Sequence, residues 1–448
     1  MEIDLFLKIS ILFLGVVIYF IKPRWVFLFS LCIYPIYVPL VSWLFPVLNT
    51  DDFFSYIYSI PNYIFRMYLI IFLFEFSFHT NKKLILNFEF FLPTILLCSY
   101  LLFHGFIFYQ DLSVVNSEIL SVFQYLLPLM LISYNERLRP LPKELFYLVC
   151  FIVLLQVVFC YLNTISIYAY PIFYVQGFIW DAFEGLVTGT FARFNYLTNY
   201  LTAIYICIAI EFYEKKRIST FFFSFISISI FIITLLSGSR LSLVSILFIL
   251  LGCQLLYYKR NKKMLVVVAV IVSTIAFLLT ENNAITNRIS GLSRQVSGLS
   301  STIQTSGTDE SMTTILSINL IEHYSNHLFL GCGRSDKGEN AYIKAGNSLA
   351  AVKADARLVY TIIEYGIVGF ILYLFFFGGI YNYMKSNVRK KDKKKIDLIF
   401  LYFIFNTITE MGLFDLFLNQ IIYIYVFTYL VKNTYSKHIE TSFLSKKI

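Results

Sequence analysis

The sequence predicts an all-α polytopic membrane protein, with about 12–13 transmembrane helices and one large extracytoplasmic loop. Three observations predict it. First, 58% of the residues are hydrophobic and only 14% are charged, where soluble domains carry about 25% charged residues. Second, uncharged apolar runs recur from end to end, and about 18 apolar residues suffice to cross the hydrocarbon core as a helix. Third, the basic residues gather in seven groups, one at every second gap between runs, as cytoplasmic loops do. The groups are Lys22/Arg24, Lys82/Lys83, Arg137/Arg139/Lys143, Lys215/Lys216/Arg217, Lys259/Arg260/Lys262/Lys263, Lys385 with the 389–395 run, and Lys432/Lys437/Lys446/Lys447. The net charge of +9 therefore faces the cytoplasm and anionic lipid. It is a topology signal and does not point to nucleic acid.

In chain order the apolar runs lie near 4–21, 25–47, 62–79, 88–109, 114–133, 144–166, 194–213, 218–236, 241–258, 264–280, 357–384, 396–411 and 414–431. They make thirteen spans with the N-terminus outside, or twelve, since only three residues join the first two. The first run has no evident small-x-small cleavage site and reads as a retained helix. The chain divides into helices and short loops over 1–280, with a medium outer loop at 167–193; a large outer loop at 281–356; and C-terminal helices with a cytoplasmic tail at 357–448. Residues 289–313, rich in Ser, Thr and Gly, read as mobile. Residues 314–330 carry apolar positions at helical spacing, which predicts a short amphipathic helix on the membrane surface. No internal repeat is evident, which disfavours a transporter built from inverted halves. Six of the seven cysteines lie in apolar runs and only Cys332 in a long loop, so no loop disulfide is expected. The 48 Phe and 34 Tyr fit lipid-facing positions and interfacial belts.

The chemistry is read from what remains. No GxxxxGK[ST] signature is present, so nothing suggests ATP, and no Asp-x-Asp pair could hold a metal–nucleotide sugar. His323 and His327 have i, i+4 spacing, but Glu322 is misplaced for a zinc-protease helix and no third ligand is evident. No cofactor and no metal are expected. Basic residues outside the seven groups are mostly arginines, and positive-inside selection works against them in outer loops. Arginine suits bidentate phosphate contact. Arg240 stands in a turn of barely four residues between two apolar helices, at the level of a lipid phosphate, where a helix start would add its own attraction. Arg193 sits similarly, just before a helix. Both could instead snorkel to ordinary phospholipid. Arg66 leans toward snorkelling, Arg288 borders the mobile stretch and Arg294 lies near its start.

A second constellation closes the large loop. Arg357, Thr361 and Glu364 share one helix face, and Glu364 falls within the membrane. An intramembrane carboxylate is a functional candidate, with structural pairing to an arginine as the alternative. Asp355 at the rim is a candidate general base for a sugar hydroxyl; a helix N-cap is its alternative. Tyr168, Tyr170, Phe173, Tyr174, Phe178, Trp180 and Phe183 could stack on sugars, although an interfacial belt explains them more simply.

Four local patterns resemble the Wzy-type O-antigen and capsule polymerases and, more distantly, the O-antigen ligases. They are Gly189-Thr190-Phe191 followed by Asn195; Ser239-Arg240 after an apolar helix; His327-Leu328-Phe329-Leu330-Gly331-Cys332-Gly333; and Asp355 followed by Gly366-x-x-Gly369. The resemblance spans about residues 187–370. The ligases typically have histidine where Asp355 stands, which favours polymerase, while Ala192-Arg193-Phe194 departs from the family's usual Asp-Pro before Asn. The resemblance implies polymerisation of undecaprenyl-diphosphate-linked oligosaccharide repeats on the outer face of the bacterial cytoplasmic (inner) membrane. It implies Asp355, Arg240 and Arg193 as catalytic, and Arg288, Arg334, Arg357, Glu364, Asn195 and Ser239 as substrate-binding. Its implied partners are the lipid-linked oligosaccharide and membrane lipids, with a chain-length regulator and a flippase as candidate companions. An O-antigen ligase and a lipid-linked oligosaccharide flippase are the alternatives.

Overall fold

A computed structural model describes residues 2–44, 50–78, 88–108, 112–166, 169–170, 187–191, 194–215, 220–237, 246–253, 328–331, 333, 357–409 and 416–431. The protein is an all-α polytopic membrane protein. Its helices are α1 (Glu2–Ile21), α2 (Val26–Leu44), α3 (Thr50–Phe78), α4 (Phe88–Phe108), α5 (Leu112–Tyr134), α6 (Pro142–Ile165), α7 (Phe194–Lys215), α8 (Thr220–Leu236), α9 (Arg357–Asn387), α10 (Lys393–Thr409) and α11 (Leu416–Tyr425). Residues 246–253 are also helical, and α11 runs on as a π-helical turn, Val426–Leu430. Among the described residues there is no strand; Val388 and Val431 make one isolated antiparallel bridge. The apolar run at 264–280 lies outside the described residues.

Helix positions follow the apolar runs, because a backbone crossing lipid must satisfy its own N–H and C=O groups. The largest departure is α3. The apolar runs at 25–47 and 62–79 leave 48–61 as an outer connection, yet the helix already begins at Thr50 and takes Pro61 inside it. Prolines also stand inside α2, α4 and α5, where neighbouring helices can accommodate the lost backbone bond. Four stretches (Ile60–Phe78, Phe91–Phe108, Glu136–Ile165 and Thr361–Asn387) are long and apolar enough to cross a membrane. Large exposed side chains such as Phe6, Phe13, Phe103, Phe151 and Ile371 are what a lipid-facing surface requires.

Three of the basic groups, Lys22/Arg24, Arg137/Arg139/Lys143 and Lys385 with the 389–395 run, meet at one end of the described bundle. The loops that carry them form single 3-10 turns, Pro23–Trp25, Glu136–Leu138 and Lys390–Asp392. Glu144 joins the first two loops: Arg24 Nε lies 3.1 Å and Lys22 Nζ 3.8 Å from its Oε1, and Trp25 Nε1 donates to the same oxygen. Arg139 caps the end of α5, donating to the carbonyls of Ile132 and Ser133, and its guanidinium lies over the Phe427 ring. Arg389 donates to the Tyr429 carbonyl, and the Tyr429 hydroxyl donates to the Pro142 carbonyl. Asp392 is buried between Arg389, at 2.7 Å, and Lys395, at 2.9 Å. Burial works to raise its carboxyl, but the Lys395 ammonium and the Arg389 guanidinium outweigh burial and hold it below the ordinary carboxylate range. Loops far apart in sequence are thus locked together at the basic end. The glycine-rich motifs lie at the other.

Candidate functional site

The first motif is a turn pinned to α6. Gly189 has φ +59°, a left-handed conformation that glycine adopts without penalty. Its N–H donates to Asn163 Oδ1 at 2.8 Å. The next residue engages Gln156 twice: Thr190 N–H donates to Gln156 Oε1 at 3.1 Å, and Gln156 Nε2 donates to Thr190 Oγ1 at 2.7 Å. A Cβ at Gly189 would stand 2.4 Å from Gln156 Oε1. Asn163 also donates to the Ala169 carbonyl, so one side chain ties the beginning of the 167–193 loop to its end. The Phe191 ring packs on Tyr200 of α7 with centroids 5.2 Å apart, and Val187 N–H donates to the Leu236 carbonyl at the end of α8. The backbone leading to Arg193 is therefore bonded to the helix that leads into Ser239-Arg240. Tyr170 is buried, which removes it from the aromatics available for sugar stacking.

Gln156→Leu removes both partners of Thr190 inside an apolar bundle. Leaving two such groups unpaired costs about 1–3 kcal/mol each. The expected outcome is a thermal midpoint lowered by several degrees in detergent, with less glycan product; an unchanged midpoint would show that the turn holds without Gln156.

The second motif pair meets at a break in α9. Gly366 has φ +68° and ψ 178° inside this 31-residue helix, a region open essentially to glycine alone. A break leaves orphan carbonyls behind it and orphan N–H groups ahead of it. Residues 328, 329 and 333, in the stretch that the sequence predicts as the large outer loop, supply their partners. Ile367 N–H donates to the Leu328 carbonyl at 2.7 Å, Val368 N–H to the Phe329 carbonyl at 3.4 Å, and Gly333 N–H to the Glu364 carbonyl at 3.0 Å. Gly331 and Gly366 lie back to back: a Cβ on Gly331 would stand 2.3 Å from the Glu364 carbonyl oxygen, and one on Gly366 2.3 Å from the Phe329 carbonyl oxygen. Residues 328–330 thus form a turn docked on α9, which corrects the amphipathic helix expected through 330; its earlier residues lie outside the described set.

Around this joint α4, α5 and α9 bury polar groups. Thr361 and Glu364 are both buried, as their shared helix face predicts. His104 of α4 is 1% exposed, stacks near Tyr365 with centroids 5.4 Å apart, and lies against the carbonyls of Leu330 and Glu364. Glu118 of α5 is equally buried, with the Tyr365 hydroxyl 3.4 Å from its Oε1. Among the described residues no group of three or more His, Cys, Asp or Glu side chains gathers as a metal site would.

Of the residues singled out by sequence, Glu364 is buried at the joint. Asn195 lies in the first turn of α7 and Arg357 opens α9; their side chains are outside the described set. Asp355, Arg240, Arg193, Arg288, Arg334 and Ser239, with the His323/His327 pair, lie outside the described residues. Sequence reading missed Tyr100, His104, Glu118, Gln156 and Asn163. A signal was present: polar residues inside apolar runs, at i, i+4 for Tyr100 and His104 and at i, i+7 for Gln156 and Asn163, each pair on one helix face.

No curated protein matches the chain. Residues 223–374 match the family model Wzy_C, O-antigen ligase. The matched stretch runs from α8 past Ser239-Arg240 and the docked turn at 328–331 into α9, and over it the chain is similar to the O-antigen ligase family, which supports a role as a membrane enzyme of ligase or polymerase type in polysaccharide biosynthesis.

Proposed function

We propose that the protein polymerises undecaprenyl-diphosphate-linked oligosaccharide repeats into O-antigen or capsular polysaccharide at the outer face of the cytoplasmic membrane. The observation that carries this reading is the position of Asp355. It lies inside the family-matched stretch, two residues before α9 and upstream of the joint where the large loop docks, and the ligases that the chain resembles typically have histidine there.

The acceptor is the sugar hydroxyl of one lipid-linked repeat, and the donor is a growing glycan on the diphosphate of another. Asp355 takes the proton of the attacking hydroxyl. The hydroxyl oxygen bonds to the anomeric carbon of the donor as the bond from that carbon to the diphosphate oxygen breaks. Arg240 and Arg193, with Arg288 or Arg334, bind the diphosphate and stabilise the charge that grows on it as it leaves. Departure of the intact lipid diphosphate as leaving group drives the transfer, so the step needs no nucleotide. Glu364, Arg357, Asn195 and Ser239 shape the surroundings of these groups.

The test is the size distribution of surface glycan from a deletion strain with and without the restored gene. A single capped repeat replacing a ladder supports polymerase. Long polymer remaining on its lipid carrier would mean ligase, and repeats trapped on the cytoplasmic side would mean flippase. Asp355→Asn is expected to accumulate as folded protein and to yield only single-repeat product; a ladder of ordinary length would remove Asp355 from the reaction.

A further inference from the structure

Tyr100 belongs to none of the motifs, yet its hydroxyl sits inside the hydrogen-bond ladder of α9. In an unbroken helix the Gly369 N–H would donate to the Tyr365 carbonyl, four residues back. Here the Tyr100 hydroxyl stands beside both groups: it donates to the Tyr365 carbonyl at 2.5 Å, with the Leu330 carbonyl at 3.2 Å sharing the proton, and the Gly369 N–H faces its oxygen. A side chain inserted into the ladder is a recognised cause of a helix kink. Gly369 leaves room for the ring, since a Cβ there would stand 2.8 Å from Tyr100 Cε1. One phenol thus touches both halves of the broken helix and the docked loop.

The geometry points to Tyr100 as a positioning residue whose hydroxyl holds α9 open at Gly366, keeps the 328–331 turn docked there, and so sets the place of the first turns of α9, the helix that Asp355 precedes by two residues in sequence. Removing the hydroxyl takes a donor from the Tyr365 and Leu330 carbonyls and a partner from the Gly369 N–H. The helix then tends to close, and the carbonyls of Leu328 and Phe329 lose their donors. The consequence for catalysis rests on the polymerase reading; the splint itself does not.

The experiment compares the full-length wild-type chain with Tyr100→Phe in detergent. Hydrogen exchange is followed on peptides covering 328–333 and 365–369, with peptides from α1 to α3 as internal controls. Polymer synthesis is followed in parallel with lipid-linked repeats. The expected result is exchange about tenfold faster or more at the joint, with the controls unchanged. Polymer turnover is expected to fall about tenfold while KM for the lipid-linked repeat stays within about twofold, as for lost transition-state positioning. Unchanged exchange at the joint overturns the splint. Faster exchange with full polymer turnover overturns the positioning role. A wild-type chain that makes no polymer overturns the polymerase reading, and the exchange arm still decides the splint. If Tyr100→Phe fails to accumulate, Gly369→Ala displaces the ring from the other side and is expected to loosen the same peptides; unchanged exchange in that variant also overturns the proposal.

Discussion

Gly366→Ala is expected to abolish long-chain glycan and to release the turn at 328–331 from α9. Two effects act together. The backbone at φ +68°, ψ 178° costs a non-glycine residue about 1–3 kcal/mol, and the new Cβ would stand 2.3 Å from the Phe329 carbonyl oxygen and 2.6 Å from the Gly331 nitrogen. Those atoms belong to backbone and cannot rotate away. Alanine also favours continuous helix over glycine by about 1 kcal/mol, so the chain has a ready escape: α9 closes and residues 328–333 leave. Gly331→Ala attacks the same joint from the loop side, because its Cβ would meet the Glu364 carbonyl and the Gly366 nitrogen. Limited proteolysis of the large loop in membranes, read beside the glycan ladder, checks the prediction. Wild-type protease resistance together with a normal ladder would show that the break is dispensable.

Arg240→Lys is expected to retain charge yet lose most activity, on the order of 100-fold, as when one preorganised donor is taken from a developing anion. The guanidinium presents two parallel N–H groups to a phosphate, whereas an ammonium offers a point charge. If Arg240 only snorkelled to bulk phospholipid, lysine would serve equally well. Glycan chain length at matched membrane abundance separates the two cases: a wild-type ladder from Arg240→Lys sinks the clamp, and single-repeat product supports it.

Much of the fold was legible because the bilayer imposes its own arithmetic. Helices α4 to α8 lie within a few residues of the apolar runs, since segment length and burial are set by lipid thickness. Ends were harder. Thr50–Ile60 lies between the apolar runs at 25–47 and 62–79, yet it is the start of α3. The joint was half legible: Gly331, Gly366 and Gly369 stood out as glycines at regular places, but nothing local reveals that two of them lie back to back across a loop.

Composition, charge placement and motif order, all properties of the sequence alone, determined that the chain is a polytopic helical membrane protein and where its glycine-rich turns occur. Only the tertiary structure decided which groups complete those turns. Gln156 and Asn163 reach the 187–191 turn from α6, Tyr100 reaches the α9 break from α4, and His104 and Glu118 bury polar atoms beside it. The physical reason is that a backbone donor or acceptor in an apolar bundle must find a partner, and which side chain supplies it depends on helix rotation and crossing in space. Spacing along the chain carries the demand for a partner, and packing alone selects the residue that meets it.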